Sequence, residues 1–431
     1  MKTSTPIVTI IISYPIEFYL FSPVILGLVN NNKEIDIVCN SIVEKMIRLE
    51  FSSRLITFKD IDLIKTKFFF QRLFHKILLI LFTPMNFSDQ YKIIFDIQKR
   101  KNNIWSFFYW LSYLMPKSKN INKRMTSIFS CFSWNFVNSK KILVPSLNPI
   151  AFLLNYKGHE IYTLMESWDH AMKLPNGYVS EKVFVWNNDL KNDWINFQKD
   201  NNVVGTYPLK LRYAHNNVVF NKSNNLKKNK VVVYAFASTK SFSTPKLSEV
   251  EHKILEKICL ATHEVGYKLI IKPRPIGDSS EFDYYKKKYD NVSVAFMNDA
   301  NSRNASNYFL SDDYNKLRFN EINNADFVIN CFTTFGLDSA VTGKPVLQID
   351  VSNDPDLSLS KMFYLNHHIK KYLLKSENIL KVKKDLKLEL IDFLNSENNI
   401  YINYTKEINS WLFQDFEDID KAIDVIINDF S

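Results

Sequence analysis

The sequence predicts an α/β protein with two doubly wound, Rossmann-like domains. The chain has 431 residues, which is more than one ordinary domain holds. Short β-branched runs alternate with amphipathic segments of helical spacing along most of its length. One polar stretch rich in Asn and Lys, at 215–230, interrupts that alternation and has the composition of a linker. Two parallel sheets covered by helices are therefore expected.

The first domain is predicted to span residues 1–214. A strand at 6–13, a helix from Phe18 to Leu28 and a strand at 34–40 open the chain. An opening of strand, helix and strand favours a parallel sheet. Further apolar runs of strand length lie at 141–146, 160–165, 182–187 and 203–208.

A helical insertion rich in aromatic and basic residues is predicted at 65–115, inside the first domain. Lys65, Lys67, Arg72 and Lys76 are interleaved there with phenylalanines, and these bases do not fall on one clean helical face. Two interpretations stay open for this segment: a helix at the surface of an anionic membrane, or a core helix with solvated ends.

The second domain is predicted to span residues 231–410, directly after the linker at 215–230. Strand, helix and strand follow one another from 231 to 272, and again between 326 and 350. Alternation at this pitch indicates a second doubly wound sheet. Residues 411–431 are predicted to form a closing helix, and the sequence leaves open whether that helix crosses back to the first domain.

Charge and composition exclude several classes of protein. The formal charge of +10 and a pI near 9.1 favour an anionic partner. The four cysteines lie far apart without a CxxC pair, so a reducing cytoplasm fits and neither a zinc site nor a disulfide framework is expected. Glu17, Pro15 and Pro23 interrupt the apolar N-terminal run, which argues against a signal peptide. No clean apolar run reaches the roughly 18 residues of a transmembrane helix. The bases are scattered and no nucleic-acid-binding motif occurs, so no nucleic-acid partner is expected.

Loops after strands are the expected places for function, because doubly wound sheets bind ligands at the carboxyl ends of their strands. Lys272 and Arg274 lie on either side of a proline at the end of a buried strand and offer two cations for a phosphate. Thr333 and Thr334 begin a helix after another strand, with Asp338 one turn further on, and form a second candidate phosphate site. A solvated turn and an ordinary helix cap are the competing interpretations.

The segment 163–188, TLMESWDHAMKLPNGYVSEKVFVWNN, places reactive side chains between two apolar runs. Asp169 and Glu166 are candidates for taking a proton from an acceptor hydroxyl group, and His170 is a third. Trp168 and Lys173 are candidates for contacting the acceptor. The competing interpretation is that the tryptophans of this segment pack in the core and its acids are solvated.

Five short motifs of this chain resemble, in the same order, those of bacterial surface-polysaccharide glycosyltransferases of the GT-B architecture. They are SWD at 167–169, VFVWN at 183–187, VVGTYP at 203–208, KPRP at 272–275 and ADFVINCFTTFGLDSAVTGKPVL at 325–347. The resemblance covers roughly residues 160–350 and implies two Rossmann-like domains that face a cleft. The related CDP-glycerol glycerophosphotransferases carry a histidine directly after the tryptophan and another in the basic-proline turn. Asp169 and approximately Arg274 occupy those positions here, which favours sugar transfer over polyol-phosphate transfer.

The resemblance implies an inverting glycosyltransferase that needs no cofactor and no metal ion. Asp169 takes the acceptor proton, while Lys272, Arg274 and the Thr333–Thr334 turn stabilise the departing nucleotide. The donor is a nucleotide-activated sugar, hexosyl or of the sialyl or Kdo type. The acceptor is a glycan or lipid-linked glycan of capsule, O-antigen or lipopolysaccharide, and the location is cytoplasmic or on the inner membrane face.

Two further sequence features are not expected to bind a metal ion. The DPD triplet at Asp354 and Asp356 matches a metal-binding pattern but is interpreted as a solvated loop, and His367–His368 lacks a nearby third ligand. Two alternative functions stay open: a polyol-phosphate transferase or nucleotide-sugar 2-epimerase of the same fold, and a non-catalytic basic protein associated with membrane or nucleic acid.

Overall fold

A computed structural model describes most of the predicted sheet and helix segments. The described residues are 6–13, 17–63, 137–145, 158–166, 180–198, 200–211, 229–237, 245–273, 279–295, 321–360, 369–396, 399–414 and 418–430, with single positions at 69, 70, 73, 74, 77, 107, 111 and 154. Residues 215–228 of the predicted linker at 215–230 lie outside these residues, as does nearly all of the predicted insertion at 65–115.

The chain divides into two compact units. Unit 1 comprises Met1–Lys210 together with Leu412–Ser431, and unit 2 comprises Leu211–Trp411. Each unit has its own parallel sheet.

Unit 1 contains seven described strands, all paired in parallel in the order β3-β2-β1-β4-β5-β6-β7. The strands are β1 Val8–Ile11, β2 Ile35–Cys39, β3 Ile56–Asp60, β4 Lys141–Pro145, β5 Glu160–Leu164, β6 Lys182–Val185 and β7 Val203–Gly205. Its described helices before the second unit are α1 Phe18–Asn30, α2 Ser41–Glu50 and α3 Asn188–Gln198. β1 and β2 are buried along their whole length, as their continuous apolar sequences require in a sheet covered on both faces.

Unit 2 contains six described strands, also parallel, in the order β10-β9-β8-β11-β12-β13. In chain order its elements are β8 Val231–Ala235, α4 Pro245–Val265, β9 Lys268–Lys272, α5 Asp283–Lys288, β10 Val292–Val294, β11 Phe327–Asn330, α6 Phe335–Val341, β12 Val346–Asp350, β13 Leu380–Lys381, α7 Leu386–Asn395 and α8 Ile400–Leu412. Counted from its own first strand, each sheet begins 3-2-1-4-5-6, which is the order of the Rossmann fold. The predicted class, two doubly wound α/β domains, is confirmed.

The last helix, α9 Ile419–Ile427, packs on α1 in unit 1. Gly27 lies in α1 at this contact, where an added Cβ atom would meet the side chains of Ile427 and Ile423. Beyond α9, Asp429 accepts hydrogen bonds from the Lys182 ammonium group at 2.7 and 2.9 Å. The C-terminal segment therefore belongs to the core of unit 1.

Among the described residues, no helix is both long enough and apolar enough to cross a membrane.

Candidate functional site

The switch point of each sheet is the natural place to look for a ligand site. The chain leaves the first strand of a doubly wound sheet toward one side and enters the fourth strand from the other, so a crevice forms between their carboxyl ends. In unit 1 these strands are β1 and β4, and in unit 2 they are β8 and β11.

The carboxyl end of β11 is organised by two buried amides. The Asn330 side chain donates to Gln348 Oε1 at 2.7 Å, and its Oδ1 accepts from the Thr333 hydroxyl at 2.6 Å and the Thr333 backbone N–H at 3.2 Å. Gln348 in turn donates to the Cys331 carbonyl at 2.9 Å. The Thr333 hydroxyl is therefore engaged in shaping the turn after the strand.

Thr334 and Asp338 follow in the same turn and helix. Thr334 is the N-cap residue of α6, but its side chain makes no capping hydrogen bond, and the residue is exposed. Asp338 is half-buried one turn later. Gly336 is packed so closely on Asn330 that a Cβ atom would lie 2.7 Å from Asn330 Nδ2. Thr334 and Asp338 thus lie at the start of the helix that follows β11, directly after the turn to which Asn330 is hydrogen-bonded.

The carboxyl end of β8 contains a buried acid that the sequence interpretation missed. Glu251, on α4, is 0% exposed and accepts from the Ala237 backbone N–H at 2.6 Å and the Tyr234 hydroxyl at 3.3 Å. Burial, with Glu251 adding to it, raises the pKa of Tyr234 well above its ordinary value. Burial likewise raises the pKa of the Cys331 thiol. In the sequence Glu251 is one acid of an amphipathic helix, and nothing there marks it as buried.

Lys272 is the last residue of β9. The sequence predicts a cation there that faces a phosphate group, but the side chain is buried in an ion pair. It is 5% exposed, and its ammonium nitrogen lies 2.5 Å from Glu321 Oε2. The approach is that of an ion pair rather than a well-aligned hydrogen bond. The charge of Lys272 is thus balanced within unit 2, while Arg274 lies outside the described residues.

In unit 1 the described part of the 163–188 segment surrounds the carboxyl ends of β5 and β6. Glu166 is half-buried, two residues beyond β5. Trp186 is buried and donates its indole N–H to the Met165 carbonyl at 2.9 Å, so this tryptophan packs in the core. The remaining candidates of the segment lie outside the described residues: Trp168, Asp169, His170 and Lys173.

Unit 1 also carries a buried acid at its switch point. Glu17 is 4% exposed and its Oε2 accepts from the Ser13 backbone N–H at 2.6 Å, directly beyond β1. The sequence signal was present, since Glu17 is the one charged residue in an apolar run, but it served only to argue against a signal peptide.

The DPD triplet is a structural site, and the interpretation of Asp354 as solvated is wrong. Lys257 Nζ lies 3.1 Å from Asp354, 3.1 Å from Asp356 and 2.7 Å from Asp385. Asp354 is buried and also accepts from the Leu386 N–H at 2.9 Å, whereas Asp356 is exposed. Burial lowers the pKa of Lys257, but the hydrogen bonds to the three carboxylates outweigh it and raise the pKa overall.

Within the described ranges no group of three or more His, Cys, Asp or Glu side chains is arranged to hold a metal ion. His367–His368 falls outside those ranges.

Comparison with known proteins gives similarity at the level of fold. No protein-family model matches the sequence, and no curated protein sequence matches it. Arabidopsis thaliana UGT89C1 in complex with UDP-L-rhamnose has a TM-score of 0.50 and 8% identity, covering 99% of this chain and 100% of that chain. The S. aureus MnaA–UDP co-structure has a TM-score of 0.49 and 11% identity, with 98% and 94% covered. Acinetobacter baumannii MurG has a TM-score of 0.42 and 8% identity, with 98% and 99% covered.

The likeness to UGT89C1 agrees with the strand orders and shows a GT-B fold of two Rossmann-like domains. At 8% identity it shows the fold alone.

Proposed function

We propose that the protein is an inverting glycosyltransferase, which moves a sugar from a nucleotide-activated donor to a hydroxyl group of a capsule, O-antigen or lipopolysaccharide glycan. The observation that carries this proposal is the carboxyl edge of unit 2, where buried polar groups gather at the switch point of a Rossmann-type sheet. The likeness of the whole chain to a solved complex with UDP-L-rhamnose supports a nucleotide-sugar ligand.

Unit 2 binds the donor in this proposal. The exposed Thr334 and the half-buried Asp338 offer a hydroxyl group and a carboxylate for polar groups of the nucleotide sugar. Arg274 supplies the planar cation that suits a diphosphate. Lys272 and Thr333 act indirectly, because the first is paired with Glu321 and the second with Asn330.

Unit 1 supplies the proton acceptor. Asp169 takes the proton of the acceptor hydroxyl, whose oxygen attacks the anomeric carbon from the face opposite the nucleotide. A single displacement inverts the configuration at that carbon. The negative charge that develops on the nucleotide is stabilised by Arg274 and hydrogen-bond donors of unit 2, without a metal ion. Glu166 and His170 are the alternative bases, and Trp168 and Lys173 hold the acceptor.

A lipid-linked acceptor would place the enzyme at an anionic membrane surface. The formal charge of +10 supports this part of the proposal, as do Phe69 and Phe70, which are 54% and 78% exposed in the predicted insertion. Flotation with vesicles of anionic phospholipid is expected to carry the protein upward at low salt. Absence of binding to such vesicles would remove the membrane component and leave the transfer reaction untouched.

A thermal-shift panel of UDP, CDP, GDP and CMP tests the donor class first. Binding of one nucleotide at one hundred times its dissociation constant stabilises the folded chain by about 2.7 kcal/mol. The matching nucleotide sugar is then incubated with and without a glycan acceptor. Turnover that needs the acceptor supports the transferase, and epimerised sugar formed from the donor alone supports the epimerase. A chain that no nucleotide stabilises, and that binds nucleic acid at physiological salt, contradicts both.

A further inference from the structure

Three side chains at the end of β11 form a set of hydrogen bonds with one direction, the Asn330 network: Gln348, Asn330 and Thr333. The backbone carbonyl of Cys331 can only accept, so the side-chain nitrogen of Gln348 donates to it, at 2.9 Å. The Gln348 oxygen is then the atom that faces Asn330, and it accepts from the Asn330 nitrogen at 2.7 Å. The amide oxygen of Asn330 therefore faces Thr333, and an amide oxygen can only accept.

The contacts of Thr333 give the network the same direction. The Thr333 backbone N–H can only donate, and its nitrogen lies 3.2 Å from Asn330 Oδ1. The Thr333 hydroxyl oxygen lies 2.6 Å from the same acceptor, so the hydroxyl proton is used in this contact. Thr333 consequently has no hydroxyl proton left to donate to a phosphate oxygen. Thr334 lies outside the Asn330 network, and its side chain makes no capping hydrogen bond.

Asn330 contacts the backbone on both sides of Thr334. On one side it accepts the N–H of Thr333. On the other side lies Gly336, where an added Cβ atom would be 2.7 Å from Asn330 Nδ2 and 2.9 Å from Asn330 Cγ. The backbone at Gly336 is therefore packed directly against the amide of Asn330. The exposed Thr334 lies between these two contacts, so the position of its hydroxyl group depends on the Asn330 side chain.

Stability of the sheet does not by itself explain two buried amides at this place. Asn330 and Gln348 lie opposite each other in the pairing of β11 with β12, and each is 0% exposed. Burying polar groups costs free energy that their hydrogen bonds offset, and two apolar side chains of the same shape can be nearly neutral for stability. An apolar pair could fill the same space, but it could not hold the turn at Thr333 by hydrogen bonds.

We infer that Asn330 is a positioning residue for the donor, which acts through the turn at Thr333 to set the position of Thr334. Gln348 fixes the orientation of the Asn330 amide, and Thr334 donates its hydroxyl proton to a phosphate oxygen of the nucleotide. This inference rests on the proposed function, which assigns Thr334 to the donor.

A cycle of two substitutions separates positioning from a general loss of stability. Asn330→Leu removes both hydrogen-bonding groups at similar volume, and Thr334→Val removes the hydroxyl group at similar shape. The two single variants and the double variant are compared with wild type. Affinity for UDP, CDP, GDP and CMP, each alone, is measured by titration calorimetry, and stability by thermal unfolding.

Thr405→Val is the matched control, because it also removes a buried threonine hydroxyl group from unit 2. The Thr405 hydroxyl donates to the Tyr401 carbonyl at 2.7 Å and accepts from the N–H of Val346 at 2.8 Å. Val346 is the first residue of β12, so this contact lies at the amino end of a strand. Thr405→Val is expected to lower the unfolding temperature and to leave the nucleotide affinity unchanged.

Thr334→Val and Asn330→Leu are each expected to bind the nucleotide about tenfold more weakly than wild type. The double variant should bind no more weakly than either single variant, because Asn330 acts through Thr334. Thr333→Ser, which keeps the hydroxyl group, should bind more tightly than Thr333→Val. Should Asn330→Leu fail to fold, Thr333→Val takes its place in the cycle, since it removes the hydroxyl contact of the network from the other partner.

Losses of affinity that multiply in the double variant would show that Asn330 does not act through Thr334, and would overturn the inference. Wild-type affinity in folded Asn330→Leu or in Thr334→Val would overturn it as well. A wild-type chain that binds none of the four nucleotides overturns the proposed function itself, so the two failures are distinguishable.

Discussion

Unit 1 and unit 2 share a strand order, yet they complete the amino edges of their sheets differently. In unit 2, Asp326 directly precedes β11 and accepts the backbone N–H groups of Asn229 and Val231, both at 3.2 Å. In unit 1, Lys182, the first residue of β6, instead reaches Asp429, 247 residues later. Unit 1 is therefore complete only when the end of the chain has returned to it, whereas the contacts of Asp326 in unit 2 are to residues at the start of the neighbouring strand β8.

At the carboxyl edges the two units are alike, since Glu17 and Glu251 each hold a backbone N–H group two residues beyond the first strand. Glu17 lies four residues from its donor in the sequence, and Glu251 lies fourteen residues from its donor. In the proposed reaction the two units nevertheless have different roles, because unit 1 carries the proton acceptor and unit 2 the donor contacts.

Asp169→Asn is expected to have the largest effect on turnover. Loss of the base is expected to lower turnover by roughly 10²–10⁴-fold, because proton removal from the acceptor hydroxyl contributes this much. Nucleotide affinity should stay at the wild-type value, since unit 2 is the proposed donor site. Steady-state rates and titration calorimetry provide the two readouts. Glu166→Gln is the control, and a larger loss of turnover in that variant would move the base to Glu166.

Glu321→Gln tests whether Lys272 is a structural cation of unit 2. Removing the carboxylate leaves a 5% exposed ammonium group without its ion-pair partner. The free energy of unfolding is expected to fall by about 3–5 kcal/mol, measured by urea denaturation. In the double variant Lys272→Met with Glu321→Leu the loss should be largely absent. A single variant as stable as the double variant would show that Lys272 does not depend on Glu321.

Gly27→Ala tests the dependence of unit 1 on the C-terminal segment. The new methyl group meets Ile427 and Ile423 on α9, and overpacking of this kind costs about 1–3 kcal/mol. Thermal unfolding measures the loss. Adding Ile427→Val, which removes the nearest carbon atom, should recover part of it. Equal stability of Gly27→Ala and wild type would mean that α9 is not closely packed on α1 at Gly27.

Asp385 gives unit 2 a small dependence on acid pH. Burial raises the pKa of Asp385, but hydrogen bonds from Lys257 and the Leu388 backbone N–H outweigh it and lower the pKa overall. Because the folded pKa lies below the unfolded value of about 3.9, the stabilisation is complete above that pH and is lost as the pH falls through the folded pKa.

Asp385→Asn should therefore flatten the acid limb of the stability profile by about 1 kcal/mol or less, because Asp385 is 32% exposed. Lys257→Met, which removes the lowering contact, should flatten it likewise. Urea unfolding across the range from about pH 5 to pH 2 provides the check. An unchanged acid limb in both variants would contradict this assignment.

Much of the fold was predictable because its signals are local. The β-branched runs at 34–40 and 160–165 contain β2 and β5. The helical spacing of apolar residues from Phe18 onward predicts α1. β3 was not predicted, because it shows no clean alternation of apolar and polar residues. Three of its five residues are polar, and each of these three is half-buried or exposed. α3 was missed because polar side chains occupy part of its buried face, among them Asp193 and Gln198.

Within the candidate site, the sequence predicted only residues at or directly after the end of a strand. The turn at Thr333 and the strand end at Lys272 lie where the sequence placed them. Their partners, Asn330, Gln348 and Glu321, were not predictable, because a hydrogen bond between side chains distant in sequence leaves no periodic signal. Lys257 was not predictable as a partner for the same reason. It pairs with Asp354 of the DPD triplet, which lies 97 residues later in the sequence.

The proposal that unit 2 binds the nucleotide of the donor is tested most directly by hydrogen–deuterium exchange of the full chain, with and without the nucleotide that stabilises it. Slower exchange is expected in unit 2 at the backbone segments that follow β8 and β11, including Ala237 and Thr333. Protection confined to the segments after β1 and β5 in unit 1, or no protection by any of the four nucleotides, would contradict it.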